Sequence, residues 1–412
     1  MSATASHDRE ILRDLARRYA EASAGPEQDV RRDLWRRHNS LKGDRPLIYV
    51  RAFAWREMPE SSLACADPFY RPYEDLLRYQ LYWASLGDDS VFEPWVTVRA
   101  VYRCEGWGLE GEKTYVDSAN PSPLSGSYKV DYPLKSLADV ERLRRPWHGI
   151  DEQATAERVS RVRDAVGDLI EVNVDRAPVY RMWEGDIAQA LGALRGIEHF
   201  MLDMVDDPSG LKKLVSFLSD GILHAHDQAE EAGDWNLSAH TNQAMPYAEE
   251  LPDPAANVSG VGRKRLWGFA AAQEFTGVSP AMHEEFLLRY QLPILGRFGL
   301  TAYGCCEDLT RKIGMLRQIP NLRRIAVSPM ADVAACAEQI RADYVLSYRP
   351  SPSEMVGYSF DPARVRGILR EDFAACRGCH FDITLKDVET VGRDPTRVRE
   401  WLRITREEIE RL

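Results

Sequence analysis

No stretch of this chain stays apolar for the roughly 18 residues that a helix needs to cross a bilayer. Met1 to Arg9 also lack the hydrophobic segment of a secretory leader, so helical membrane spans are excluded and a cytoplasmic location is expected. Cysteine is scarce. The seven thiols are odd in number and scattered without the spacing of a disulfide framework, which fits a reducing compartment. Basic residues are outnumbered, 53 against 64 acidic, for a net charge of −11; a nucleic-acid surface needs the opposite balance. The pairs Arg31-Arg32, Arg36-Arg37 and Arg144-Arg145 lie among acidic residues and read as solvated helix faces. Internal repeats and low-complexity tracts are missing. No Gly-x-Gly-x-x-Gly turn follows an early strand, which weakens the case for a doubly wound sheet.

With 44% hydrophobic residues the 412-residue chain can bury a large core. Residues 7–38 carry a helical rhythm (Ile11, Leu12, Leu15, Tyr19, then Val30, Leu34, Trp35), giving an N-terminal helical extension over residues 1–44. Strand-like runs follow at 45–51, 169–174, 235–240, 266–270, 300–305, 322–327, 344–348 and 381–385. Helical patterns separate most of them. Asp207-Pro208, Ser279-Pro280, Asp361-Pro362 and Asp394-Pro395 read as helix starts, an oxygen cap before a proline that has no N–H to leave unpaired. Eight strands alternating with helices predict an α/β fold, a (β/α)8 TIM barrel over residues 45–412. The aromatic-rich stretch 65–135 reads as an insertion, with two or three strands around Val96 to Tyr102. A doubly wound sheet is the alternative.

Barrels of this kind carry their chemistry at the carboxyl ends of the strands. Those ends supply Arg51 and Arg56; Asp175 and Arg176; His240 and Asn242; Gln273 and Glu274; Tyr303, Cys305, Cys306 and Glu307; Ser328; Arg349; and Lys386, Asp387 and Glu389. Tyr303-Gly304-Cys305-Cys306-Glu307 is the most distinctive of these. Two soft sulfurs beside a carboxylate suit zinc, a reactive thiolate, or plain core filling. Alternation along 300–306 predicts Thr301, Tyr303 and Cys305 facing the barrel axis. The same reasoning along 381–387 points Asp382, Thr384 and Lys386 inward. His240 reads either as a hydrogen-bonded histidine or as a metal ligand. Glu274 reads as a ligand, a general base or a polar strand end. Cys376 and Cys379 precede their strand and so belong to the other end. His224 and His226 fall on different faces of one helix, and His283 is expected at the surface.

Glu184 to Leu194 with Met201-Leu202-Asp203-Met204-Val205-Asp206-Asp207-Pro208, and Val278 to Phe286 with its Ser-Pro-x-x-x-x-x-Phe start, resemble the uroporphyrinogen decarboxylase superfamily over residues 165–412. The resemblance implies a (β/α)8 barrel and one of two chemistries. One is metal-free decarboxylation or carbon–carbon cleavage, with arginines holding a carboxylated substrate and Asp175 positioning it. The other is zinc-dependent methyl transfer to or from a separate corrinoid protein. The decarboxylases' Arg-Gln-Ala-Gly-Arg signature is replaced here by Arg51 to Met58, which keeps only two arginines. The methyltransferases' His-x-Cys reads Tyr303-Gly304-Cys305, and Lys386-Asp387 stands where their second thiol falls. On the methyltransferase side the resemblance implies a metal set among His240, Cys305, Cys306, Glu307 and Asp387. Catalytic roles would fall to Glu274, Tyr303 and Asp175, and substrate contacts to Arg51, Arg56, Arg176, Asn242, Gln273 and Lys386. The chain has no Asp-x-His-x-x-Gly corrinoid motif, so a corrinoid would ride on a partner. By analogy the chain forms a homodimer.

Overall fold

The computed structural model describes residues 3–115 and 128–412; the centre of the aromatic-rich stretch, 116–127, lies outside them. In chain order the strands are β1 (Leu47–Val50), β2 (Trp95–Arg99), β3 (Glu112–Tyr115), β4 (Tyr128–Asp131), β5 (Glu171–Asp175), β6 (Trp267–Ala270), β7 (Leu300–Tyr303), β8 (Leu322–Val327), β9 (Val345–Tyr348) and β10 (His380–Leu385). Strands β1, β6, β7 and β9 are buried at every position. Runs buried on both faces require helices above and below, which parallel crossovers supply. Six strands form one parallel sheet in the order β1-β10-β9-β8-β7-β6, while β2 and β5 form a parallel pair. Strands β3 and β4 make a separate antiparallel hairpin.

A parallel six-stranded sheet and a parallel pair, with helices between the strands, are consistent with a TIM-barrel-like α/β fold. Among the described residues the hydrogen-bonded ladder does not run unbroken around it. Loop residues satisfy the strand edges through both side chains and backbone. Asp88 accepts Val50 N–H at 2.7 Å, and the Asp89 N–H reaches Ile48 O at 2.9 Å, joining the segment before β2 to β1. On the free edge of β5, Asn257 accepts Val174 N–H and donates to Val172 O.

One expected strand is exchanged for another. Residues 235–240 form no strand; they make a single bridge, Asn236 with Ser259. The Asn236 side chain accepts Ser238 N–H at 3.1 Å and the Ser238 hydroxyl at 2.6 Å, a local turn that competes with the ladder. Its place is taken by Trp95–Arg99, which pairs residue for residue with Glu171–Asp175.

The helices are α1 (Ala3–Ser23), α2 (Pro26–Asn39), α3 (Arg71–Leu86), α4 (Glu152–Val166), α5 (Ile187–Arg195), α6 (Ile197–Asp206), α7 (Pro208–Glu231), α8 (Pro280–His283), α9 (Arg289–Leu295), α10 (Ile313–Leu316), α11 (Val333–Ile340), α12 (Pro362–Ala375) and α13 (Thr396–Ile409). Asp207, Ser279 and Asp361 cap α7, α8 and α12, each with proline next in the chain. Asp394 accepts Thr396 N–H, so α13 begins one residue later than its proline.

The amino end of the strands is closed by α2. Its His38 lies 3.1 Å from Asp382 of β10, and its Asn39 accepts a bond from Arg324 of β8 at 2.9 Å. Arg324 pairs with Asp382 at 2.8 Å, both nearly inaccessible to solvent. Burial would raise the Asp382 pKa, but the Arg324 charge and the His38 bond outweigh it and hold it down at about 2. Asp382 and Thr384 thus face the interior as alternation predicts.

Candidate active site at the carboxyl rim

Strand β7 stops at Tyr303 because Gly304 turns with φ +97°. A Cβ there would sit 2.7 Å from Leu309 Cδ1 and 3.1 Å from Ala326 Cβ, so the position requires glycine on both counts. The turn carries Cys305 into an interior cluster with Trp267, Phe269, Ala271, Leu300 and Ala302 and leaves Cys306 exposed. Along β7 itself the alternation is the reverse of the expected one. Leu300 and Ala302 face inside, whereas Tyr303 points out to the helices. Its hydroxyl donates to Gln291 Oε1 of α9 at 2.7 Å and lies 2.8 Å from His283 Nε2 of α8. His283, expected at the surface, is fully buried, and burial lowers its pKa to about 3.

The thiols stand 3.6 Å apart, sulfur to sulfur. Lys386 Nζ, at the end of β10, donates to Cys306 Sγ at 3.0 Å and also contacts the Asp387 carboxylate. Asp387 in turn lies 3.6 Å from Cys306 Sγ. Behind them Arg349 donates to Cys305 O at 2.8 Å, and Arg51 donates to Gln243 Oε1 at 2.9 Å. Gln243 Nε2 and Arg349 Nε are buried with no partner among the described residues. The pair therefore shares a proton under a positive field. The hydrogen bond between the sulfurs comes first, and the Arg349 and Lys386 charges follow; together they lower the first ionisation below the ordinary thiol value, against the cost of burial. The second ionisation is pushed up, first by that same bond and then by burial. Burial also opposes the Lys386 charge, but the thiols and Asp387 outweigh it and raise its pKa.

Carboxylates line the neighbouring strand ends. Glu307 accepts Cys305 N–H at 2.8 Å and Ala272 N–H at 2.7 Å, and its backbone oxygen takes the Ser328 hydroxyl at 3.0 Å. It ties the ends of β6, β7 and β8 together, and its carboxylate is occupied as a brace. Glu274 is partly buried, with a pKa raised first by burial and then by Glu307 and Cys305. Asp186 caps α5 and also accepts Ala271 N–H at 2.9 Å. Burial, Glu274 and Glu307 push its carboxyl up to about 8.

The remaining expected residues lie elsewhere. His240 Nδ1 accepts the N–H of Trp267, the first residue of β6, so it sits at the amino end, a strand's length from the sulfurs. Burial takes its pKa down to about 4. Asp175 pairs with Arg181, and Arg176 is divided between Glu152 and Asp234. Asn242 braces its own loop through Ala244 N and Met245 O. Arg56 is exposed in a surface pocket with Trp55, Arg71 and Asp75. Gln273 opens a short 3-10 turn beside Glu274.

Zinc requires three or four converging donors. Of the five expected, His240 is at the other end and Glu307 is occupied by two N–H groups. Cys305, Cys306 and Asp387 gather instead around the Lys386 ammonium, and a dication there would meet a like charge. No three His, Cys, Asp or Glu side chains form a metal-holding group among the described residues. The residues as arranged do not fit zinc.

Two rim residues escaped the sequence reading. Gln243 holds a left-handed backbone (φ +59°) that nothing in Thr241-Asn242-Gln243 announces. Asp186 was legible as the oxygen before the apolar rhythm of α5, a capping signal.

No protein-family profile and no curated protein sequence matches the chain. A solved structure of a methyltransferase from Methanosarcina mazei matches with a TM-score of 0.50 and 12% sequence identity, over 92% of this chain and 98% of that one. At that identity the likeness is one of fold.

Proposed function

We propose that the chain is a methyl-transfer enzyme of the uroporphyrinogen decarboxylase-like kind, acting on a small molecule at Cys305 and Cys306. The observation that carries this is the Lys386 ammonium 3.0 Å from an exposed thiol at the rim of a barrel-like fold. The fold likeness to a methyltransferase supports it. Methyl transfer to sulfur needs a thiolate, and an adjacent fixed cation supplies one at neutral pH. In the step, the proton shared by the pair stays on or moves to Cys305 Sγ, 3.6 Å away, as a Cys306 Sγ lone pair forms a bond to the methyl carbon and the donor–carbon bond breaks. Its electron pair leaves with the donor. Lys386 keeps its proton and acts as counter-ion throughout. Glu274, whose raised pKa keeps it protonated to higher pH, is the residue we assign to give a proton to the leaving group. A corrinoid protein is the partner proposed as source or destination of the methyl group.

A second reading, decarboxylation or carbon–carbon cleavage of a carboxylated molecule, draws on the unpartnered Gln243 Nε2 and Arg349 Nε beside Arg51. These donors suit a substrate oxyanion. Incubation with methyl donors, followed by peptide mass spectrometry, separates the two. Methyl transfer predicts a one-methylene mass gain on Cys306 that is lost in Cys306→Ser. Turnover of a carboxylated substrate by Cys306→Ser at the wild-type rate would refute it in favour of the second reading.

A further inference from the structure

The loops that follow β2 and β5 enclose a second hollow, of about 320 Å³, on the carboxyl side. Aromatic rings of Trp107, Tyr180 and Trp183 wall it, over an apolar floor that includes Ala190 and Leu194 of α5. Packing sets the ring orientations. Trp107 meets Tyr180 edge-on with centroids 5.5 Å apart, and Trp183 meets Phe269 in the same way at 5.1 Å. The ionisable lining is wholly acidic: Glu105, Glu110 and Glu184, with no Lys, Arg or His among the described residues that line it. Arg144 holds Glu105 at 2.9 Å. Glu110 and Glu184 make no ion pair among the described residues.

Ring faces attract cations, most strongly those that are weakly hydrated, and quaternary ammonium groups are recognised by such aromatic walls. Carboxylates at the mouth add Coulomb attraction and repel anions. A bare hard cation would need converging oxygen ligands, which these dispersed side chains do not provide. We infer that the hollow binds a compact methylated onium ion, an ammonium or sulfonium carrying several methyl groups. Its volume lies at the lower end of the range for small-molecule sites. Trp183 stands as a wall between the hollow and the Phe269–Cys305 cluster. Neither thiol is among its lining residues, and the inference goes beyond the methyl-transfer reading without resting on it.

The test is calorimetric titration of the full chain, read alongside tryptophan fluorescence, with choline and with its uncharged isostere 3,3-dimethylbutan-1-ol. Choline is expected to bind saturably and quench fluorescence, with the isostere about tenfold weaker or worse, the ratio that a sheltered cation–π contact supplies. Glu110→Gln with Glu184→Gln, both at exposed positions, is expected to weaken choline about tenfold at unchanged thermal stability. Trp107→Leu is expected to abolish binding, and Cys306→Ser to leave it unchanged. Equal affinity for the two ligands, undiminished choline binding in the double variant, or no saturable binding would overturn the inference. Because no readout involves turnover, failure here is distinct from failure of the thiol chemistry.

Discussion

Replacing Lys386 with methionine keeps an unbranched stem, one heavy atom shorter, and removes the charge together with its bonds to Cys306 and Asp387. The ammonium lies 3.0 Å from Cys306 Sγ. Two unit charges at that distance interact by about 1.4 kcal/mol in bulk water and about 5.5 kcal/mol at an effective dielectric constant of 20. Because Cys306 is exposed, solvent screening places the value toward the low end, about 1.5–3 kcal/mol. That equals about one to two units in the first thiol pKa, since one unit is 1.36 kcal/mol. The sign is fixed: a positive neighbour favours thiolate, so its loss raises the pKa. The assay is the pH dependence of iodoacetamide alkylation, followed by thiolate absorbance in the ultraviolet. Lys386→Met is expected to move the alkylation midpoint up by one to two units and to slow alkylation by about tenfold at pH values near the wild-type midpoint. A midpoint shifted by less than about 0.3 units would show that Lys386 does not set the thiolate population, and the proposed mechanism would lose its counter-ion.

Arg324→Met leaves the Asp382 carboxylate buried without its guanidinium and is expected to cost about 3–5 kcal/mol, read as a lowered urea midpoint at unchanged slope. In the wild type the Asp382 pKa is depressed to about 2, so its stabilising contribution is complete above the unfolded value near 4. It is lost as pH falls from about 4 through about 2, and that loss should be absent from the pH–stability profile of Arg324→Met. Gly304→Ala forces an L side chain into φ +97° against Leu309 and Ala326; a loss of about 1–3 kcal/mol is expected, with slower alkylation of the thiols it positions.

Where both faces of a strand are buried, the apolar run announces the strand but not its orientation. Leu300-Thr301-Ala302-Tyr303 offers no polar–apolar contrast, and the Tyr303 hydroxyl is satisfied by His283 and Gln291 from the helical side, so alternation pointed the wrong way. In β10, by contrast, Asp382 and Thr384 mark the inner face plainly and the orientation was readable. The exchange of 235–240 for 95–99 has a similar origin. Trp-Val-Thr-Val-Arg and Trp-Asn-Leu-Ser both alternate, and only the turn made by Asn236 with Ser238 separates them. Of the candidate site, the thiol turn was visible as an apolar run ending in Gly-Cys-Cys-Glu. That Lys386 comes near the thiols was implied only by the resemblance, which set Lys386-Asp387 where a second thiol falls; the 3.0 Å contact with Cys306, 80 residues away, is made by strand register.

The buried contact between His38 and Asp382 spans 344 positions of the chain. At roughly 5–20 residues per second of synthesis, the imidazole is made about 17–70 s before its carboxylate exists. Within that interval α2 already has Asp89, Met245, Tyr247 and Arg324 to pack against, but the guanidinium of Arg324 arrives ahead of the anion that neutralises it. The last strand made is the one that completes the plug, so a nascent chain halted before residue 382 would expose its unfinished interior to chaperones and proteases.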